Sequence, residues 1–343
     1  MFLNAKELRT SIDWLMAEAS DPVRYLAARD LAGIPEGSGE LAALKRKMEA
    51  SPDAREILAA QKPDGSWFSG GSWAQKPSYE QKGRAGGYDP DSPKYVTANW
   101  VLPLLCDMGF GPEDGAVRKA CAYILDYPGL GDRFRIFNDP SYPPSEGTGG
   151  LCCRFFQSLA ALGKAGMGSD PRVRRGYAAL LSMQRPDGGW ASPGCVAEKG
   201  WTRSCPFSSY HAALALHSSG LEGHREPLAR AVAFLLGHLS GKREEDVRRF
   251  FFHGHSVVHE LLMASALGVG MGTKAARVAL AWLKEGYEPV TGRFSIRGKP
   301  VSAYKRLADG MDSRVAKYRL YHLAEPDWLT YRAALIARNL LAS

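Results

Sequence analysis

Six cysteines and eight histidines are spread over this chain of 343 residues, and a subset of them falls where chemistry could gather. Cys152 and Cys153 directly precede one amphipathic run. Cys205 precedes Pro206 at the start of another, and Cys195 lies in the segment between. Thiolates and neutral imidazoles bind zinc in sets of three or four, and four thiolates would suit an iron–sulfur cluster. The cysteine spacing matches no local zinc-finger pattern, so only the fold could bring these residues together. The expected metal ligands are Cys152, Cys153, Cys195 and Cys205, with His211 as the fourth ligand if one of the adjacent pair is a bystander. Zinc is expected ahead of an iron–sulfur cluster. The competing reading is packing, since cysteine is among the most buried residue types; Cys106 and Cys121, on apolar helix faces, are expected to be structural. His255 and His259 stand one helical turn apart with Glu260 adjacent, a set able to do acid–base work. The plainer alternative is a pair of hydrogen-bonded or solvent-facing histidines.

The elements that would position these residues read as helices. Apolar residues recur at helical spacing before a repeated stretch: Val173, Tyr177, Leu180 and Leu181 share one face and lead into Gln184-Arg185-Pro186-Asp187-Gly188-Gly189-Trp190. Proline stops the helix and Asp-Gly makes the turn. A near copy is Gln61-Lys62-Pro63-Asp64-Gly65-Ser66-Trp67, and a weaker form is Thr291-Gly292-Arg293-Phe294. Helices are expected over 40–61, 95–109, 114–126, 152–165, 171–184, 206–219, 225–239, 254–268, 273–285 and 327–341. Two short helices fill 6–33, with Asp21 capping the second and Pro22 at its first position.

Gln…Asp-Gly-(Gly/Ser)-Trp at the end of a repeated helix resembles the QW motif of the prenyltransferase and squalene-oxidase repeat, found in squalene–hopene cyclases, oxidosqualene cyclases and protein prenyltransferase β subunits. In that family the motif is structural: the Gln bonds free helix-end groups and the Trp packs against it. The resemblance implies an all-α fold, an α/α toroid of helical hairpins over 41–343, with 1–40 as an N-terminal helical extension. An open α-solenoid is the alternative. The family's zinc ligands do not carry over, because no Asp-x-Cys pair is visible around Cys195 or Cys205. The cyclases' Asp-x-Asp-Asp acid motif is missing too; the nearest segment, Asp89-Pro90-Asp91-Ser92, lacks the final acid.

In such a ring every loop that follows a QW-type turn emerges at one end, where the inner helices also start. The long segments 66–94, 130–150, 188–205 and 240–252 are all of this kind, and long loops are usually functional or mobile. Aromatic and cationic residues expected at that mouth include Trp73, Tyr88, Trp201, Arg203, Phe207 and Tyr210. They suit an apolar or isoprenoid-like ligand, with a diphosphate held by cations; surface or core placement is the alternative for each. Two function classes follow. One is a terpenoid cyclase- or prenyltransferase-like enzyme, a transferase, cyclase or lyase. The other is a non-catalytic ring that binds a lipid, peptide or glycan and carries a structural metal.

Composition narrows the rest. The net charge of +8 is modest for this length, and without Lys/Arg-rich blocks it gives no nucleic-acid signature. No run reaches the ~20 apolar residues of a membrane span, the N-terminus lacks a signal-peptide pattern, and six cysteines are too few for a disulfide scaffold. A cytoplasmic protein is expected.

Overall fold

The computed structural model describes residues 2–67, 98–126, 153–191, 202–248, 257–295 and 326–342. Helices occupy Ala5–Glu18 (α1), Asp21–Asp30 (α2), Gly39–Glu49 (α3), Pro52–Ala59 (α4), Ala98–Met108 (α5), Gly115–Asp126 (α6), Cys153–Lys164 (α7), Pro171–Ser182 (α8), Pro206–Ser218 (α9), Arg225–Ser240 (α10), Glu244–Val247 (α11), Val257–Leu267 (α12), Lys274–Glu285 (α13) and Pro326–Ala342 (α14). Among the described residues the one extended pairing is an isolated antiparallel bridge between Tyr287 and Phe294. The all-α expectation therefore holds.

Two local expectations change. The expected helix over 40–61 is broken after Glu49: Pro52 has no N–H to continue the ladder, and the Ser51 hydroxyl caps α4 by accepting from the Ala54 N–H at 3.3 Å. At the start of α2 the capping position is held by Ser20, not Asp21, and its hydroxyl bonds the Asp327 carboxylate instead of capping the helix.

The helices group into two compact units, Met1–Glu56 with Leu236–Ser343, and Ile57–Leu235. In the second unit α7 packs along α9, α5 and α8 pack on α7, and α6 packs on α5. Its core includes Trp100, Phe155, Phe156, Leu159, Tyr177 and Trp190, all buried. In the first unit α14 packs against α1, α12 and α2, and α3 packs against α2. Phe2, Phe294 and Tyr287 meet there, with ring centroids 5.9 Å and 5.1 Å apart around Phe294.

The repeated turns have the same geometry. In the second copy the Gln184 side-chain amide donates to the Gly188 carbonyl at 2.9 Å and to the Pro227 carbonyl, in the first turn of α10, at 2.8 Å. In the first, Gln61 donates to Gly65 at 3.2 Å and to Ala116, in the first turn of α6, at 2.9 Å. One side chain thus closes its own turn and ties it to the next helix. The indole N–H of each Trp donates back into the preceding helix, Trp67 to the Ile57 carbonyl and Trp190 to that of Leu180, both at 2.7 Å. Gly188 has φ +85°, and a Cβ there would lie 2.6 Å from the Arg230 carbonyl oxygen. Both the left-handed backbone and the close approach require glycine.

The third turn lies in the first unit and docks on α1. Gly292 has φ +76°, and a Cβ on it would meet Ser11 N at 2.5 Å. The Tyr287 hydroxyl donates to the Glu7 carbonyl at 3.3 Å, and the Ser11 hydroxyl donates to that of Gly292 at 2.7 Å. Helix α1 thus stands to this turn as α6 and α10 stand to the other two.

Candidate functional site

The start of α9 carries most of the described candidate residues, and the second turn holds it in place. The Cys205 N–H donates to the Trp190 carbonyl at 2.7 Å. The Trp190 N–H donates to the Ser209 hydroxyl at 2.8 Å. Asp187 accepts from the Ser204 hydroxyl at 2.6 Å and from its N–H at 3.1 Å. Burial alone would raise the Asp187 pKa, but the bonds from Ser204 and the Gly189 N–H hold its carboxyl below the usual range. The Phe294 N–H makes the matching bond to the Thr330 hydroxyl of α14, also at 2.8 Å, and both helices begin with a proline.

On this anchored turn Cys205 is half-buried at the capping position and makes no side-chain capping bond. His211 is buried, with the rings of Phe207 and Tyr210 meeting it nearly edge-on at 4.6 and 5.3 Å. Phe207 is half-buried, Tyr210 is buried and Arg203 is exposed. Behind them Phe156 of α7 meets Trp190 edge-on at 6.4 Å. The Asn99 amide of α5 donates to the Ser158 hydroxyl of α7 at 2.8 Å.

In the first unit Glu260 is buried and His259 half-buried, both in the opening turn of α12. Arg332 of α14 is buried over the Trp328 ring at 5.2 Å. Trp73, Tyr88, Cys152, Cys195, Trp201 and His255 lie outside the described residues, as does the side chain of Cys153, whose backbone opens α7. Among the described residues no three His, Cys, Asp or Glu side chains are grouped closely enough to hold a metal ion, and no helix is long and apolar enough to cross a membrane.

Sequence reading missed a second polar group at the other ends of the same helices. Lys164, closing α7, forms an ion pair with Asp107 of α5. Cys106 precedes Asp107 on α5, and His217 lies near the end of α9, the helix packed along α7. Cys121 is buried as expected, its thiol pushed up to about 12 by burial. Cys106 is only half-buried. No local pattern marks this group, because each member taken singly resembles an ordinary helix-end residue.

No protein-family model matches the chain, and no curated protein matches it. Solved structures that resemble it include a protein from Actinoplanes, at 17% identity over 98% of this chain and 99% of that one, with a TM-score of 0.41. Another is a type II terpene cyclase from Scytonema in complex with its substrate geranylgeranyl dihydroxybenzoate, at 14% identity over 86% of this chain and 97% of that one, with a TM-score of 0.33.

Proposed function

We propose that this chain is an α/α toroid that takes an apolar, isoprenoid-type chain at the inner-helix starts and acts on it as a terpenoid cyclase- or prenyltransferase-like enzyme of the cytoplasm. Support for the repeat comes from the three turns, which dock on α6, α10 and α1 through matching contacts. Support for the ligand comes from one observation: Phe207, Tyr210 and His211 form an aromatic–imidazole group at the start of α9, fixed from behind by the Trp190 turn. Aromatic rings suit an apolar chain and stabilise positive charge developing along it. In this reading Trp73, Tyr88, Trp201 and Arg203 complete the binding surface, and His255, His259 and Glu260 move protons.

The test is incubation of the intact protein with geranyl, farnesyl and geranylgeranyl diphosphates, each with and without zinc. Binding is followed by tryptophan fluorescence and products by mass spectrometry. Binding with turnover is expected, and Phe207→Ala should abolish both. Absence of binding to all three would sink the proposal.

A second reading is a non-catalytic binding ring with a structural zinc held by Cys152 or Cys153, Cys195, Cys205 and His211. Cys205 favours it, because its side chain is not used as a cap. Ligating sulfurs would lie ~2.3 Å from zinc. Elemental analysis of protein purified without added metal, compared with Cys195→Ser and Cys205→Ser variants, tests this. Bound zinc lost in both variants, together with ligand binding without turnover, would replace the enzyme reading by this one.

A further inference from the structure

Four successive helix pairs are joined by connections of one length. Residues 109–114 lead from α5 to α6, 165–170 from α7 to α8, 219–224 from α9 to α10 and 268–273 from α12 to α13, six residues each. At two of them the last residue caps the helix that follows. Asp170 accepts from the Arg172 N–H at the start of α8, and Thr273 accepts from the Ala276 N–H at the start of α13. Helix α1 begins in the same way, with Asn4 accepting from the Glu7 N–H. It packs against α14, more than 300 residues away in the sequence. The pair α14–α1 thus has the form of these hairpins without their covalent connection.

The two ends of α1 are held differently. At its last turn only Ala19 and Ser20 separate it from α2, and the Arg24 guanidinium of α2 donates to the Ala17 and Ala19 carbonyls at 3.0 and 2.9 Å. Helix α2 is itself fixed to α14: the Tyr331 hydroxyl donates to the Asp30 carboxylate, and Arg338 donates to the Asp30 carbonyl at 2.5 Å. The first half of α1 rests instead on the end of α13 and the third turn. Lys284 pairs with Glu7, the Tyr287 hydroxyl donates to the Glu7 carbonyl, the Ser11 hydroxyl donates to that of Gly292, and the Phe2 ring meets Phe294. Water reaches part of this contact: the Lys284 and Glu7 side chains are 37% and 28% exposed, and such ion pairs hold weakly. Phe2, Leu3, Leu8 and Leu15 are buried and keep the docked form the major one.

We infer that α1 is a strap, hinged at Ala19–Ser20 and latched at Glu7 and Ser11, that opens as a unit while α2, α13 and α14 stay folded. The physical reason is the missing connection. If α10 left its turn, six residues of chain would still hold it beside the end of α9 and keep its effective concentration at the docking site high. Helix α1 has no such tether to α14, so once the latch parts it swings from the hinge alone. Local opening of this kind costs less than global unfolding. It takes Phe2 from Phe294 and Ser11 from Gly292, and so gives water access to an aromatic turn that is buried when α1 is docked. The inference uses neither the ligand nor the reaction of the proposed function, and its test needs neither.

Native-state hydrogen exchange of the intact protein tests it, with protection factors read for the amides of α1 and α10. Protection of α1 should be about tenfold or more below that of α10, and it should be uniform from Leu8 to Glu18. Ser11→Ala should lower it further, by about two- to tenfold, and leave α10 unchanged. In a third protein Ser343 is joined through one glycine to Met1, which gives α14 and α1 a connection as long as the other four. There the protection of α1 should rise to near that of α10. The first two measurements decide the matter if the joined protein does not fold. Equal protection of α1 and α10 in the wild type would overturn the inference. So would protection graded from Ala5 toward Glu18, which is fraying, or a Ser11→Ala effect shared equally by both helices. A folded joined protein in which α1 exchanges as in the wild type would overturn it as well.

Discussion

The Tyr287 hydroxyl donates to the Glu7 carbonyl and so holds α1 as the Gln184 amide holds α10 at Pro227. Glu7 and Pro227 are each the third residue of their helix. The glycine that follows in the turn presses on the helix three residues further along, Gly292 on Thr10 and Gly188 on Arg230. Lys284 adds an ion pair to Glu7 at 2.6 Å. Gly292→Ala should therefore behave like Gly65→Ala and Gly188→Ala. Each puts a side chain into a left-handed backbone and a carbonyl or amide into its path, and each should cost about 2 kcal/mol or more. Urea unfolding of the three variants measures this. A Gly292→Ala protein as stable as wild type would remove the equivalence.

The two glutamines make a second prediction. Gln184 and Gln61 each satisfy two backbone carbonyls that lie in different elements. Replacement by alanine should cost about 1–3 kcal/mol, the range for leaving partly buried acceptors without donors. Replacement by glutamate should cost at least as much, because a carboxylate cannot donate to a carbonyl. Chemical denaturation of the four single variants measures both, and a neutral glutamate variant would refute the assigned role.

Helix positions were legible because amphipathic runs and punctuating Pro and Asp-Gly are local signals. The first two turns were legible for the same reason: Gln, Asp-Gly and Trp all lie within seven residues. The third was faint because its partners are distant. Tyr287 takes the glutamine's place, and Ser11 reaches Gly292 from 281 residues away, a separation no window along the chain can cover. The break at Ser51-Pro52 was hidden by an apolar pattern that continues through it. At the start of α9 the sequence marks Phe207 and Tyr210 as aromatics and His211 as a possible metal ligand, while the contact of their rings depends on helix spacing. The Lys164–Asp107 ion pair is not legible in the sequence, because its two residues sit on different helices.

The seam between the second turn and α9 gives an ordering of effects. Ser209 is fully buried and is the hydrogen-bond partner of the buried Trp190 N–H. Ser209→Ala leaves that donor unsatisfied and should cost about 1–3 kcal/mol. Ser204→Ala removes one of three bonds to Asp187, which keeps those from the Gly189 and Ser204 N–H groups. It should cost about 1 kcal/mol or less. Equilibrium unfolding of both variants checks the order. A larger loss at Ser204 would mean that the carboxylate, rather than the Trp190 backbone, anchors α9.

The last prediction concerns pH. His217 and His224 both have pKa values lowered by burial, His217 with a further push from Lys164. His224 is held by the Ser219 hydroxyl at 2.7 Å and by the Tyr177 ring at 4.9 Å. Below about pH 6.5, the ordinary imidazole value, the unfolded chain binds protons at these positions before the folded chain does. Stability is therefore full above that pH and falls as pH drops toward the lowered folded values. Asp64 and Asp187 act lower down. Hydrogen bonds from Ser66 lower Asp64; at Asp187 burial opposes, but bonds from Ser204 and Gly189 prevail. Their contribution is present above the ordinary carboxyl pKa and is lost as pH falls through the depressed folded values. Urea midpoints should thus decline in two stages, the first beginning below about pH 6.5 and the second below the usual carboxylate range. A His217→Gln/His224→Gln double variant should lose the first stage and keep the second. A wild-type midpoint that stays level from pH 7 to 5 would show that neither imidazole is enclosed as described.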